Sequence, residues 1–85
     1  MRIRLLGSLA IDDKAVQLAR RDRVVLSRLA IAAGRVVPRD TLIDALWGGD
    51  VPLSADKVVQ GAIMRLRRLL GSAAIETAPG GYRLT

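Results

Sequence analysis

The chain has 85 residues, of which 51% are apolar, and it contains neither histidine nor cysteine. Because these two residue types supply most general bases, thiol nucleophiles and metal ligands, we expect no enzyme activity, no metal site and no cofactor. Fourteen basic side chains against eight acidic ones give a formal net charge of +6. This excess indicates a polyanionic partner, either nucleic acid or an anionic membrane surface.

A chain of this length is expected to form one domain, residues 1–85, with a small core of Leu, Ile, Val and Ala. No apolar run reaches the length of a membrane span. The alternation of arginine and apolar residues at positions 2–5 also differs from the core of a signal peptide. We therefore expect a cytoplasmic protein that does not enter the membrane.

Residues 2–6 alternate between polar and apolar side chains, and two further short runs of mainly apolar residues follow at positions 9–11 and 15–18. A turn at residues 12–14 separates the last two runs. This pattern predicts a short antiparallel β-meander with one apolar face.

Three helices and a hairpin are predicted to follow. The first helix covers about residues 22–33 and stops at Gly34, and the second starts near Pro38 and ends at Gly48-Gly49. The connector at 34–38 can include a short strand. The third helix, residues 54–70, begins with Ser54 as its cap and stops at Gly71, and strands at 75–77 and 82–84 flank a turn at 78–81.

The third helix has one apolar and one basic side. At about 100° per residue its apolar stripe is as wide as a core-facing stripe should be. The stripe contains Ala55, Val58, Val59, Ala62, Ile63, Leu66, Leu69 and Leu70. The opposite side contains Lys57, Gln60, Gly61, Met64 and Arg68, with Arg65 and Arg67 on its flanks.

The polar side of this helix suits the major groove of DNA. Gln can pair with adenine, Arg or Lys with guanine, and Met can touch a thymine methyl, while the flanking arginines reach phosphates. Gly61 would allow close approach to a partner. The alternative is a solvated face whose arginines only complement the helix C-terminus.

Five segments resemble OmpR/PhoB-type DNA-binding domains, and most closely their SARP-type branch, the antibiotic regulatory proteins of actinobacteria. They follow the family's order and are spread along nearly the whole chain: 2–7 (RIRLLG), 34–38 (GRVVP), 42–48 (LIDALWG), 64–71 (MRLRRLLG) and 79–84 (PGGYRL). The resemblance implies an α+β winged helix-turn-helix fold, with an N-terminal antiparallel β-meander, a three-helix bundle and a C-terminal β-hairpin wing.

The resemblance also implies a function, namely promoter recognition in a bacterial transcription regulator that works on the nucleoid. Its third helix would read the major groove of double-stranded DNA, and two copies would bind direct repeats as a tandem homodimer. The wing would reach the minor groove. Ala78 stands where the family often has an arginine, which leaves Arg83 as the basic candidate in the wing.

Two further contacts are implied by the resemblance, each with an alternative. Trp47 would donate its indole N–H to a phosphate, or it is plain core packing. The loop before the third helix, residues 48–53, would contact RNA polymerase holoenzyme through Asp50 and Val51. Alternatively, Val51 and Leu53 simply pack under that loop.

Two other functions fit the composition. A winged helix can act as a protein-interaction module that docks on polymerase or on another regulator, and the basic residues kept in the third helix argue against this. A basic helix can also bind a membrane surface, but the stripe of the third helix has neither Trp nor Phe and makes sense only when packed.

Overall fold

The computed structural model describes residues 3–4, 10–11, 14–15 and 18–85. Strands β1 (Ile3–Arg4), β2 (Ala10–Ile11) and β3 (Lys14–Ala15) form an antiparallel sheet in that order. Ile3 pairs with Ile11, and Ala10 pairs with Ala15. The predicted meander is therefore confirmed, while most of the other residues of its predicted strands lie outside the described residues.

The first helix, α1 (Arg20–Ile31), begins two residues earlier than predicted and ends two residues earlier. It ends before Gly34 because Ala33 already has a φ of +53°, in the left-handed region, followed by Gly34 at +88°. Its buried positions are Asp22, Val25, Leu26 and Leu29. Their spacing of three and four residues defines one stripe, and that stripe includes a carboxylate.

The second helix, α2 (Arg39–Trp47), packs on α1 through Leu42 and Leu46, which are buried. It begins one residue later than predicted, because Pro38 ends strand β4 (Val37–Pro38) and takes the N-cap position. Gly48 ends the helix with a φ of +68°, where a glycine has no side chain to clash.

The third helix, α3 (Ala55–Leu70), is the longest element, and its first residue follows Ser54 as predicted. The predicted capping bond is wrong, because Ser54 makes no side-chain cap hydrogen bond. The centre of the predicted apolar stripe is buried, whereas Leu69 at its edge is 46% exposed. The buried residues of α3 are Ala55, Val59, Ala62, Ile63 and Leu66.

The wing consists of β5 (Ile75–Ala78) and β6 (Gly81–Leu84), joined by Pro79-Gly80. The connector strand β4 pairs with β6, so that the sheet order is β4-β6-β5. Gly81 makes this pairing possible, because a Cβ atom there would overlap the carbonyl oxygen of Val37. Tyr82 and Ile75 lie in the core cluster, which ties the base of the wing to the helices.

These elements comprise a three-helix bundle, the wing sheet of β4, β6 and β5 that packs on it, and the small antiparallel sheet of β1, β2 and β3. This is the α+β winged helix-turn-helix fold that the sequence predicted. The core lies between the buried stripes of the three helices and the inner face of the wing sheet. The opposite side of α3 is left facing outward.

Candidate nucleic-acid interface

The outward side of α3 is an exposed surface with polar side chains at its centre. Lys57, Gln60 and Arg68 are exposed, and Met64 is 54% exposed. These four residues are called the outer face of α3 below. Their polar groups make no hydrogen bond or ion pair with the residues that the structure describes, so they remain available to an external partner. With Asp56 against Lys57, Arg65, Arg67 and Arg68, the helix has a net charge of +3.

Arg65, predicted to flank this surface, is held by Asp22 of α1. Its Nε donates to both carboxylate oxygens of Asp22, at 2.8 and 3.1 Å, and its Nη2 donates to Oδ1 at 2.8 Å. The Asp22 side chain is only 6% exposed, whereas that of Arg65 is 52% exposed. These hydrogen bonds, together with the nearby negative charge, raise the pKa of the Arg65 guanidinium above its ordinary value.

Gly61 lies one turn before Arg65 on the same helix and is half-buried. The heavy atoms closest to its missing Cβ all belong to the Arg65 guanidinium, with Nη1 the nearest at 3.3 Å. In the free domain Gly61 therefore gives space to an arginine of its own helix.

Arg67, on the other flank, connects α3 to the wing. Its Nε donates to the carbonyl oxygen of Ile75 at 3.0 Å, and its Nη2 donates to Thr77 Oγ1 at 2.9 Å. The side chain is half-buried. Arg67 therefore fixes the position of β5 relative to the outer face of α3.

The wing has little free charge among its described residues. Arg83 is paired with Glu76 on the neighbouring strand, through Nε at 3.1 Å and Nη2 at 2.8 Å. Both side chains are partly exposed, so the pair is accessible to solvent and screened by salt. The tip, Pro79-Gly80, has no charged or polar side chain.

Trp47 occupies the end of α2 between the core and the surface. Its ring packs against the core cluster and is half-buried. The guanidinium carbon of Arg21 lies 5.9 Å from the ring centroid, which is within the range of a cation–π contact. The core packing expected as the alternative for Trp47 is present, and the indole N–H contact with a phosphate stays a prediction.

The loop before α3 presents apolar side chains to solvent. Val51 is 47% exposed, Leu53 is fully exposed, and Asp50 is exposed. The alternative that Val51 and Leu53 pack under the loop is therefore wrong.

Sequence reasoning missed two charged residues near this surface. Asp22 could have been found, because it falls at i−3, i−4 and i−7 relative to Val25, Leu26 and Leu29, which puts a carboxylate in a buried stripe. Arg39 begins α2, and its Nε lies 3.6 Å from an oxygen of Asp56 in the first turn of α3. No comparable signal in the sequence marks that pair.

The residues that the structure describes contain no group of three or more acidic, His or Cys side chains that could hold a metal ion. Within the same residues, no helix combines the length and the apolar character of a membrane span.

The chain is similar to known regulatory proteins. Residues 13–84 match the family described as transcriptional regulatory protein, C terminal. Regulatory protein DnrI of Streptomyces peucetius is 37% identical over 98 residues, which cover 99% of this chain and 36% of DnrI.

Two solved structures are also similar. EmbR of Mycobacterium tuberculosis, determined in complex with a low-affinity phosphopeptide, has a TM-score of 0.82 and 35% identity, covering 92% of this chain and 22% of that one. The DNA-binding domain of CadC from E. coli has a TM-score of 0.71 and 28% identity, and the match covers 94% of this chain and 79% of the CadC chain. The chain thus spans about a third of DnrI and less of EmbR, but most of the CadC domain.

Proposed function

Because this chain belongs to the family of C-terminal domains of transcriptional regulatory proteins, with the OmpR/PhoB-type fold, we propose that it recognises promoter sequences by placing α3 in the major groove of double-stranded DNA. The chain is a DNA-binding domain of a transcription regulator. The proposed activity is binding without catalysis or cofactor.

The observation that supports this proposal is the outer face of α3. A helix of 16 residues is roughly 24 Å long, and B-DNA has a major groove about 12 Å wide that admits one helix. The buried stripe of α3 fixes which side chains point away from the bundle. Those side chains are the polar and basic ones that can reach base edges.

Roles within the interface follow from position. Gln60 and Arg68 are proposed to contact base edges, because their polar groups lie on the outer face without partners among the described residues. Lys57 can reach either a base or a phosphate, and Met64 can contact a thymine methyl. Trp47 is proposed to donate its indole N–H to a phosphate while its ring stays packed on the core.

The flanking arginines Arg65 and Arg67 and the wing residue Arg83 are proposed to act at the DNA backbone, within limits that their contacts set. Arg67 already has two hydrogen bonds to the wing, and Arg83 is paired with Glu76. Each would contribute a phosphate contact only with N–H groups that remain, or after exchanging its partner. The wing itself is proposed to lie near the minor groove and to act mainly through its backbone and shape.

A second proposed contact is with RNA polymerase holoenzyme, and the exposure of the loop at 48–53 favours it. Two apolar side chains in solvent beside an exposed Asp50 suit a protein surface better than DNA. Replacing Asp50 and Val51 together by alanine should lower transcription from a target promoter and leave DNA affinity unchanged. Equal losses in both assays would show that the loop does not act on polymerase.

The regulator is proposed to work on the nucleoid in the cytoplasm, with two copies bound in tandem to direct repeats. One half-site binds one copy weakly, and two adjacent half-sites bind two copies more tightly. The rival function is a protein-interaction module without DNA binding, and the basic residues on the outer face of α3 favour DNA over it.

Selection of bound duplexes from a random pool is the experiment that tests sequence recognition. Wild-type protein should enrich one motif, and Arg68→Ala or Gln60→Ala should relax preference at particular positions by about 1–3 kcal/mol. Arg28→Ala, an exposed arginine on α1, is the matched control and should leave the motif unchanged. Failure of the wild-type protein to enrich any motif would overturn the proposal.

A further inference from the structure

Asp22, Arg65 and Gly61 form a compact arrangement beside the outer face of α3. The Nε and Nη2 edge of the Arg65 guanidinium is bound to the carboxylate of Asp22. The opposite end of the group, Nη1, lies over Gly61, close enough that a Cβ there would be 3.3 Å from it. One arginine is thus fixed on one side by a buried carboxylate and seated on the other against bare backbone.

The free edge of this guanidinium is still able to bind a partner. A guanidinium has five N–H donors in a fixed planar fork, and Asp22 uses only those on Nε and one side of Nη2. The N–H groups of Nη1 have no acceptor among the residues that the structure describes. The Arg65 side chain remains 52% exposed, so that a ligand has access to it.

We propose that Asp22 and Gly61 are positioning residues, which hold the Arg65 guanidinium ready to bind a DNA phosphate through Nη1. This rests on the proposed function of α3 in the major groove. An unrestrained arginine loses side-chain freedom when it binds a phosphate, whereas one already locked in place has little left to lose. The carboxylate strengthens DNA binding although its charge repels DNA.

The direction in which DNA affinity changes when Asp22 is replaced distinguishes a positioning role from a purely electrostatic one. If Asp22 only neutralised Arg65, then its removal would free a positive charge and tighten the binding of DNA. If Asp22 positions Arg65, then its removal weakens binding. A measured affinity therefore gives opposite answers for the two roles.

The first test is Asp22→Asn, which keeps the size of the side chain and raises the formal net charge by one. Binding to a mixed-sequence duplex of about 20 base pairs is measured by fluorescence anisotropy, with circular dichroism as the check on folding. We expect Kd to rise about two- to tenfold, the range that corresponds to loss of one ordered side chain. A folded variant that binds as well as wild type, or more tightly, would overturn the role of Asp22.

The second test, Gly61→Ala, does not depend on Asp22→Asn folding well. Alanine has a higher helix propensity than glycine, so the melting temperature should stay the same or rise. The new Cβ would lie 3.3 Å from Nη1, so the guanidinium has to shift by a few tenths of an ångström against its hydrogen bonds to Asp22. We expect Kd to rise by a similar factor of about two to ten, in a domain no less stable than wild type.

A double-mutant cycle shows whether Gly61 acts through Arg65 or touches DNA itself. In an Arg65→Gln background, which keeps a hydrogen-bond donor for Asp22, Gly61→Ala should have no further effect on Kd. In an Arg68→Gln background its effect should persist in full. A full effect in the Arg65→Gln background would mean that Gly61 contacts DNA directly, and the proposal for Gly61 would be wrong.

Failure of this inference is distinguishable from failure of the proposed function. Lys57→Gln and Arg68→Gln weaken DNA binding if α3 lies in the groove, whatever the role of Asp22. If those two variants bind as wild type does, then the placement of α3 is wrong. If they weaken binding and the Asp22 and Gly61 variants do not, then only the positioning role is wrong.

Discussion

Replacing Arg65 by alanine should destabilise the domain, although Arg65 is half-exposed and lies on a basic helix. The change leaves the Asp22 carboxylate, 4% exposed as a residue, without the group that donates three hydrogen bonds to it. Breaking a fully buried pair costs about 3–5 kcal/mol. Because water can enter where the exposed guanidinium was, we expect a smaller loss of about 1–3 kcal/mol in the free energy of unfolding.

Urea unfolding followed by circular dichroism measures this loss, and Arg68→Ala is the matched control. Arg68 is exposed and has no partner among the described residues, so its replacement should change the free energy of unfolding by no more than about 0.5 kcal/mol. In a chain of 85 residues, each kcal/mol corresponds to a shift of about 4–8 °C in melting temperature.

The double variant Asp22→Asn with Arg65→Ala makes the test specific to the buried charge. Removing the orphaned carboxylate should restore much of the stability that Arg65→Ala loses. If Arg65→Ala is as harmless as Arg68→Ala, then the Asp22 pair does not contribute to stability and the reasoning is refuted.

The raised pKa of Arg65 sets the pH range of this contribution. A basic group whose pKa is raised on folding stabilises the folded state at every pH below its pKa in the unfolded chain. That stabilisation is lost only as the pH rises through its pKa in the folded state. Both values lie in the strongly alkaline range. Arg65 therefore stays charged between about pH 6 and pH 9, and its titration should not alter the difference in the free energy of unfolding between wild type and Arg65→Ala over that range.

Three further predictions concern the core and the wing. Leu66→Ala should cost about 2–5 kcal/mol in the free energy of unfolding, because Leu66 is fully buried, and an unchanged urea midpoint would mean that the stripe of α3 is assigned wrongly. Gly81→Ala should break the pairing of β4 with β6, because its Cβ would overlap the Val37 carbonyl. Amide hydrogen exchange should show lost protection in that sheet, and retained protection would contradict the register. Ala78→Arg at the end of β5 should tighten binding on A·T-flanked sites and steepen the log–log salt slope by about one unit. An unchanged slope would mean that the wing does not reach DNA.

The order of the elements could be predicted from the sequence because each one has a local signal. Hydrophobic spacing identified the three helices, and turn residues identified the wing, whose strands 75–78 and 81–84 extend the predicted ones by one residue each. The resemblance to OmpR/PhoB-type and SARP-type domains is confirmed by the match over residues 13–84 and by DnrI. The pairing of β4 with β6 was not predicted, because it joins residues more than forty positions apart.

The candidate site could be predicted only in part, for a similar reason. The helical wheel of α3 identified its outer face, because the apolar stripe determines which side of the helix is buried. It could not show that Arg65 reaches back to Asp22, that Arg67 reaches β5, or that Arg83 pairs across the wing. The partners of long basic side chains are determined by the tertiary structure, and the periodicity of apolar residues in the sequence contains no information about them.

The measurement that tests the central claim most directly compares two charge reversals, Arg68→Glu on α3 and Arg28→Glu on α1. Both residues are exposed arginines, and both variants lose the same net charge, so the long-range attraction to DNA falls about equally. Fluorescence anisotropy with one duplex at one salt concentration gives both values of Kd. If the outer face of α3 binds DNA, then Arg68→Glu should weaken binding at least about tenfold more than Arg28→Glu, which corresponds to about 1.4 kcal/mol of local contact. Equal losses of DNA affinity in the two variants would contradict the account, because affinity would then depend on the net charge of the domain and not on the outer face of α3.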